Sequence, residues 1–189
     1  MALQIQEFFH KASFTLTYVV ADTENKECAI IDPALDYDQL ASSVDCSYAT
    51  QLIDYVNNNG YSLKYILETH AHADHISSAF YIKQKLGGEI CIGNAIKGIQ
   101  KTFKSLFNLA KDFNTQGVQF DRLLTEGDVL PLGDFKFSVL ATPGHTSDSV
   151  TYVIDGNAFI GDTLFMPDSG SARCDFPGGD AALLYQSIQ

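Results

Sequence analysis

The sequence has no tryptophan and only two arginines, Arg122 and Arg173. Its 12 Lys and Arg residues stand against 23 Asp and Glu residues, so the net charge at pH 7 is −11. An acidic protein of this kind lacks the basic surface that binding to a phosphate backbone requires. A nucleic-acid partner is therefore not expected.

Long apolar runs and paired cysteines are also missing. No stretch approaches the ~20 apolar residues that span a bilayer, and no basic residue precedes Lys11, so neither a membrane partner nor a secretory signal is expected. The four cysteines are scattered without a Cys-x-x-Cys pair, which favours reduced thiols over a disulfide framework or a zinc knuckle. These features predict a cytoplasmic protein.

What is present indicates a globular protein. With 189 residues, of which 46% are hydrophobic, the chain is expected to form a single domain over residues 1–189. The last helical pattern runs to Gln189 without a capping residue, which leaves open that the domain is truncated at its C-terminus.

The order of hydrophobic patterns predicts a mixed α/β domain of packed sheets and outer helices. An antiparallel meander comes first, and Asp32-Pro33 is expected to end it. Strands are predicted at 4–9, 15–22, 27–32, 63–69, 89–92, 135–141, 149–154 and 157–160, and helices at 48–58, 76–86, 94–110 and from 180 onward. The last two strands meet at Asp155-Gly156, a favoured hairpin turn.

Three of the five histidines lie with a carboxylate in the segment Thr69-His70-Ala71-His72-Ala73-Asp74-His75. His70 and His72 are two residues apart at a predicted strand end, so they are expected to project to one side about 6–7 Å apart and to bind one ion. Asp74 and His75 can face the same pocket. The alternative is that Asp74 caps the next helix and the histidines are solvated. The clustering favours a metal site.

Two further residues stand at the ends of later strands. His145 lies in the turn Thr142-Pro143-Gly144-His145, and Asp162 follows Gly161 after an apolar strand. Each alone is more typical of a structural or turn residue. Together with the first cluster they offer the nitrogen and carboxylate ligands that zinc, iron or manganese bind.

These motifs resemble those of the metallo-β-lactamase superfamily, in which His-x-His-x-Asp-His follows a strand and is succeeded by a Gly-His turn and a strand-ending Gly-Asp. The resemblance covers most of the chain and implies an αββα four-layer sandwich with the metal site along the sheet edges. The run Ala172-Arg173-Cys174-Asp175-Phe176 is most similar to that of persulfide dioxygenases and their glyoxalase II-like relatives.

The resemblance to persulfide dioxygenases implies one iron(II) held by His70, His145 and Asp162. Three protein ligands on one face leave open positions for a thiol-type substrate and O₂. His72, Asp74 and His75 would then orient the ligands and hold water.

The resemblance to glyoxalase II-like members implies instead that all six residues bind one or two zinc ions, with Asp74 as ligand and proton acceptor for thioester hydrolysis. No histidine follows His145, although the superfamily usually supplies a further histidine ligand. This departure favours a single ion, or a chain that lacks the family's C-terminal part.

The resemblance also implies that Arg173 binds a carboxylate of glutathione, because a guanidinium group can donate two parallel hydrogen bonds to a carboxylate. A salt bridge to Asp175 or Asp180 is the alternative for Arg173. Cys174 is either a reactive thiol or an inert buried one. His10, near a strand end, is assigned no role.

The leading hypothesis is thus a mononuclear iron persulfide dioxygenase that uses O₂ to oxidise glutathione persulfide, or a related thiol persulfide, to sulfite. A zinc hydrolase of glutathione thioesters is the enzymatic alternative, and a non-catalytic metal-binding scaffold is the alternative outside enzymes. A homodimer is compatible with each.

Overall fold

The computed structural model describes residues 2–189. In chain order its elements are β1 (Leu3–His10), β2 (Thr15–Asp22), β3 (Glu27–Ile31), β4 (Ala34–Asp38), β5 (Ser43–Asp45), α1 (Ser47–Asn58), β6 (Ser62–Leu67), β7 (Ile76–Ser77), α2 (Ala79–Leu86), β8 (Glu89–Gly93), α3 (Ile96–Leu106), β9 (Arg122–Leu124), β10 (Val129–Leu132), β11 (Phe135–Ala141), β12 (Val150–Ile154), β13 (Asn157–Phe159), a 3₁₀ helix (Gly161–Thr163) and α4 (Ala181–Ile188). Among these residues, none of the helices combines the length and apolar character needed to cross a bilayer.

The chain divides into two compact units. The first runs to Glu68 and also includes His72–Ile90 and Leu130–Phe137. The second comprises Thr69–Ala71, Cys91–Val129 and Ser138–Gln189. The prediction of a single domain stays a prediction.

A four-stranded arrangement forms the centre of the first unit. β1, β2 and β3 pair antiparallel in sequence order, which confirms the predicted meander, and β6 then pairs parallel with β3. After Glu27, the residues of β3 are apolar and fully buried, as are Ile66 and Leu67 at the end of β6. α1 buries Leu52 and Val56 in the same unit. Burying each such side chain contributes about 1.5–3 kcal/mol to folding.

A second, three-stranded sheet in this unit was not predicted. The meander ends at Ile31, as expected before Asp32-Pro33, but the chain resumes as β4, which pairs antiparallel with β5 and with β7. The helix predicted over 76–86 therefore begins only at Ala79, because Ile76 and Ser77 form strand β7.

The second unit contains a parallel pair, β8 with β9, and a run of antiparallel strands that includes β11, β12 and β13. β12 and β13 are joined at Asp155-Gly156, where both residues have positive φ, so the predicted hairpin is confirmed. α3 packs through Ile96 and Ile99 against Ile92 of β8. It is shorter than the predicted 94–110, since its C-cap is Phe107.

α4 begins where the sequence predicts. Asp180 is its N-cap, and the Asp180 carboxylate accepts hydrogen bonds from the backbone N–H groups of Ala182 and Leu183. These are donors that a helix start leaves without intrahelical partners.

Candidate metal centre

Three residues from distant parts of the chain meet in the second unit. His70 lies three residues beyond the end of β6, His145 lies in the turn between β11 and β12, and Asp162 lies in the 3₁₀ helix after β13. One ligand atom from each lies within 4.8 Å of the other two. The Asp162 Oδ2 atom is 3.4 Å from His145 Nε2 and 3.9 Å from His70 Nε2. The structure thus brings these three side chains together, and their binding of one ion stays a prediction.

The two imidazole rings of this group are held by contacts on their far sides. The Nδ1–H group of His145 donates to the main-chain carbonyl of Arg173 at 2.7 Å, and a 2.9 Å hydrogen bond joins His70 Nδ1 to Thr69 Oγ1. The rings are perpendicular, with centroids 5.1 Å apart, and Phe176 packs edge-on against His145. Because Arg173 accepts from Nδ1, the Nε2 atom of neutral His145 carries the lone pair on the side of Asp162.

The backbone around two of these residues permits only glycine. Gly144 has φ +147°, and a Cβ there would collide with the main chain of Leu184 in α4. Gly161 has φ +49°, and a Cβ there would lie 2.8 Å from Thr69 Cβ. Residues without a Cβ thus allow the close approaches that place His145 and Asp162.

A second group lies within the first unit, where ligand atoms of His72, Asp74 and His75 also fall within 4.8 Å of one another. Asp74 Oδ2 is 3.2 Å from His75 Nδ1, and the rings of His72 and His75 are 4.2 Å apart. Partial burial alone would raise the pKa of Asp74, but the hydrogen bond from His75, with the charge that His75 carries when protonated, lowers the pKa to about 2. Asp74 is therefore a carboxylate at neutral pH.

His72 is anchored by two buried acids, Asp32 and Glu68. His72 Nε2 lies 3.1 Å from Asp32 Oδ1 and 3.3 Å from Glu68 Oε2. Burial alone would lower the pKa of His72, but these carboxylates outweigh burial and raise it well above its usual value. Since carboxylates accept, Nε2 is the protonated nitrogen, and Nδ1 is the atom that neutral His72 would offer to an ion.

Both groups fit a divalent metal ion by their donor chemistry. Imidazole nitrogen and carboxylate oxygen suit zinc and iron, and anchored rings raise ligand basicity. In the second group the His75 side chain is 2% exposed, yet among residues 2–189 no group lies within hydrogen-bond distance of its Nε2 atom. A buried nitrogen without such a partner fits the role of a metal ligand.

The alternative of a capped helix with solvated histidines is wrong. α2 begins after Ser78, and Ser77 Oγ accepts from the Ala79 N–H group, so Asp74 does not cap this helix. The side chains of His70, His72 and His75 are 2%, 8% and 2% exposed, so they are not solvated loop residues. His70 belongs to one unit and His72 to the other, and the prediction that they share one ion stays a prediction.

Arg173 forms a salt bridge with Asp175, one of the two partners given above as the alternative to substrate binding. Its Nε and Nη2 atoms donate to the two carboxylate oxygens of Asp175 at 2.6 and 2.8 Å, and its guanidinium lies 4.6 Å from the Phe176 ring. Both charged side chains are exposed, so Arg173 is accessible to molecules in solution. Cys174 is half-buried and directs its thiol to the carbonyl of Ala172.

Sequence reasoning missed several contributors. It did not find the Arg173 carbonyl, because a main-chain acceptor leaves no mark on residue type. It also missed Asp32 and Glu68, although both stand at the ends of buried strands, a placement that could have indicated a role beside His72.

Similarity to known proteins extends over nearly the whole chain. Residues 10–189 match the metallo-β-lactamase superfamily. The chain belongs to that superfamily. The predicted resemblance is confirmed, and so is the predicted fold class, since the crystal structure of ETHE1 from Myxococcus xanthus superposes with a TM-score of 0.74 at 26% identity. That alignment covers all of this chain and 68% of the other.

Three curated relatives show the range of the superfamily around this chain. It is 46% identical to a probable metallo-hydrolase of Burkholderia pseudomallei over 99% of its own length, and 42% identical to glyoxylase B2 of Dictyostelium discoideum over 98%. It is 31% identical to the human mitochondrial persulfide dioxygenase ETHE1 over 97%. The chain spans 67%, 64% and 61% of these three proteins, respectively.

Proposed function

We propose that His70, His145 and Asp162 bind one iron(II) ion and that the protein is a persulfide dioxygenase. The observation that carries this proposal is the convergence of two buried imidazoles and one carboxylate within 4.8 Å. Two histidines and one carboxylate on one face of an iron ion leave further positions open. The named relative ETHE1 supports the same reaction class.

The reaction consumes a thiol persulfide, O₂ and water. A persulfide RSSH with O₂ and H₂O gives the thiol RSH and sulfurous acid, which ionises to sulfite, so the outer sulfur is oxidised and O₂ is reduced. His70, His145 and Asp162 would hold the ion, which would supply the redox chemistry that joins O₂ to the persulfide sulfur. Within the chain, the Arg173 carbonyl and Thr69 hold the two imidazoles, and the Arg173 guanidinium would exchange Asp175 for a carboxylate of a glutathione-type substrate.

Elemental analysis of the purified protein together with an oxygen electrode tests this proposal. We expect about one iron per chain and O₂ uptake that depends on glutathione persulfide. Asp162→Asn should lose both iron and uptake, whereas Asp168→Asn, an exposed aspartate in the same unit, should keep both. Protein that holds only zinc and consumes no O₂ would contradict the proposal.

A second candidate is a zinc hydrolase of glutathione thioesters. The observation in its favour is the second group, in which His75 Nε2 is buried without a hydrogen-bond partner among residues 2–189. The relatives named metallo-hydrolase and glyoxylase B2 support it. In this candidate His72, Asp74 and His75 hold an ion, and the Asp74 carboxylate also accepts a proton.

Thioester cleavage measured against added zinc separates the candidates. Hydrolysis that rises with a second zinc equivalent and disappears in Asp74→Asn would favour the hydrolase. Cleavage that is absent at every zinc level, alongside persulfide-driven O₂ uptake, would exclude it.

A further inference from the structure

An unbroken series of side-chain hydrogen bonds runs through the first unit from His75 to Asp36. His75 Nδ1 is 3.2 Å from Thr15 Oγ1, and Thr15 Oγ1 is 2.8 Å from Ser13 Oγ. Ser13 Oγ is in turn 2.6 Å from His10 Nδ1, and His10 Nε2 is 3.1 Å from Asp36 Oδ1. We call the side chains of Asp36, His10, Ser13 and Thr15 the relay.

The far end of the relay is fixed. His10 is 4% exposed and its ring packs against Tyr48 with centroids 4.7 Å apart. The other carboxylate oxygen of Asp36 accepts the backbone N–H group of Tyr48 at 2.8 Å. The carboxylate therefore has one oxygen held by the start of α1 and one held by His10.

With His10 neutral, the chemistry of Asp36 sets the direction of every hydrogen bond in the relay. A carboxylate only accepts, so His10 Nε2 carries a proton, and Nδ1 of neutral His10 is then an acceptor. Ser13 must donate to His10, which leaves Ser13 Oγ to accept from Thr15. Thr15 Oγ1 has then used its hydrogen and accepts from His75 Nδ1.

The relay thus determines the tautomer of His75. The nitrogen that carries the proton in a neutral imidazole is set by the hydrogen bond that the other nitrogen makes. With the proton on Nδ1, the lone pair of His75 lies on Nε2, the buried atom without a hydrogen-bond partner among residues 2–189. Asp74 also accepts at Nδ1, but its side chain is 52% exposed and open to water.

We propose that Thr15, Ser13 and His10 are positioning residues that hold His75 with Nε2 unprotonated and ready to bind a divalent cation. The tautomer follows from the hydrogen bonds alone, whereas the cation-binding part rests on the second candidate function. The relay would act as the outer support of a metal ligand, and supports of this kind are worth about 10–100-fold in metal affinity.

Nuclear magnetic resonance of metal-free protein labelled with ¹⁵N-histidine reads the tautomer directly. We expect wild-type His75 to be protonated on Nδ1 and not on Nε2. Thr15→Val removes the hydroxyl next to His75 at nearly constant shape and should mix the two tautomers, whereas Thr15→Ser should restore the wild-type signal. A wild-type His75 protonated on Nε2 would overturn the proposal. An unchanged tautomer in Thr15→Val would also overturn it, because Asp74 alone would then set the tautomer of His75.

Two controls separate positioning from loss of structure. Thr23→Val removes a threonine hydroxyl that donates to the Ala2 carbonyl in this unit, and it should leave His75 unchanged. The signal of His145, whose Nδ1 donates to a main-chain carbonyl, should be the same in all variants.

Titration with Zn²⁺ in competition with a chelator tests the second part. Thr15→Val should weaken the binding that depends on His75 by about 10–100-fold, Ser13→Ala should weaken it in the same direction, and the double variant should be no weaker than Thr15→Val. Additive losses would refute a connected relay. If the tautomer responds as expected but no zinc binding depends on His75, the hydrolase candidate fails while the assignment of the tautomer stands.

Discussion

Replacing Gly161 with alanine tests whether the turn after β13 sets the position of Asp162. Gly161 has φ +49°, and an added Cβ would lie 2.8 Å from Thr69 Cβ and closer still to Thr69 Oγ1. Thr69 Oγ1 is also the hydrogen-bond partner of His70. The substitution therefore pushes on two proposed iron ligands at once, Asp162 from its own backbone and His70 through Thr69.

The cost has two parts. A non-glycine residue in the left-handed region costs about 1–2 kcal/mol, and forcing an extra carbon into packed structure costs about 1–3 kcal/mol. The sum, about 2–5 kcal/mol, is a large share of the ~5–15 kcal/mol that stabilises a typical protein. At about 2–4 °C per kcal/mol for a chain of this size, the Tm should fall by about 4–20 °C.

Gly156 provides the matched control, because it has φ +77° in the β12–β13 hairpin and nothing lies within 4 Å of its added Cβ. Gly156→Ala should show only the backbone cost of about 1–2 kcal/mol and should keep its iron. Urea unfolding and elemental analysis of both variants measure the difference. If Gly161→Ala were as stable as Gly156→Ala and bound iron as well, the proposed contact with Thr69 would not position the site.

Three further predictions concern stability. Leu52→Ala in α1 should lower the free energy of unfolding by about 2–5 kcal/mol, because Leu52 is fully buried. Gln51 is exposed, so Gln51→Ala should change this free energy by less than about 0.5 kcal/mol. Urea titration measures both variants. Hydrogen bonds from the Asn25 side chain and the Asp134 backbone lower the pKa of Asp22 to about 2, so ionised Asp22 stabilises the fold above its unfolded pKa of 3.8. This contribution should disappear as the pH falls from about 4 to 2. The difference in the free energy of unfolding between wild type and Asp22→Asn, measured across this range in metal-free protein, should therefore become smaller. Removing bound metal with a chelator should lower the Tm, and restoring the metal at about 100 times its Kd should raise the free energy of unfolding by about 2.7 kcal/mol. If calorimetry shows an unchanged Tm, the folded chain does not bind an ion tightly.

Most of the fold could be predicted because its signals are local. The meander, α1 and the β12–β13 hairpin each follow from hydrophobic period or turn residues within about ten positions. The β4–β5–β7 sheet could not, since Ala34 and Leu35 pair with Ser77 and Ile76, more than forty positions away. Short strands of this kind depend on tertiary pairing rather than on their own sequence.

The candidate site divides in the same way. His70, His145 and Asp162 could be identified because few structural needs place such side chains at strand ends. His10 appeared to be a lone histidine, because its connection to His75 passes through Ser13 and Thr15, two residue types that are common in turns. Only coordinates show that these hydroxyls touch in series.

The main chain and the side chain of Arg173 make separate contacts. The Arg173 carbonyl, a group that every amino acid supplies, accepts a hydrogen bond from the His145 imidazole. The exposed guanidinium donates to Asp175 instead. If Arg173 binds a substrate carboxylate as proposed, exchanging its side chain would alter substrate binding and leave the hydrogen bond from His145 to the main chain in place. Substrate selectivity at position 173 is thus separable from the main-chain contact that orients His145, one of the three proposed iron ligands.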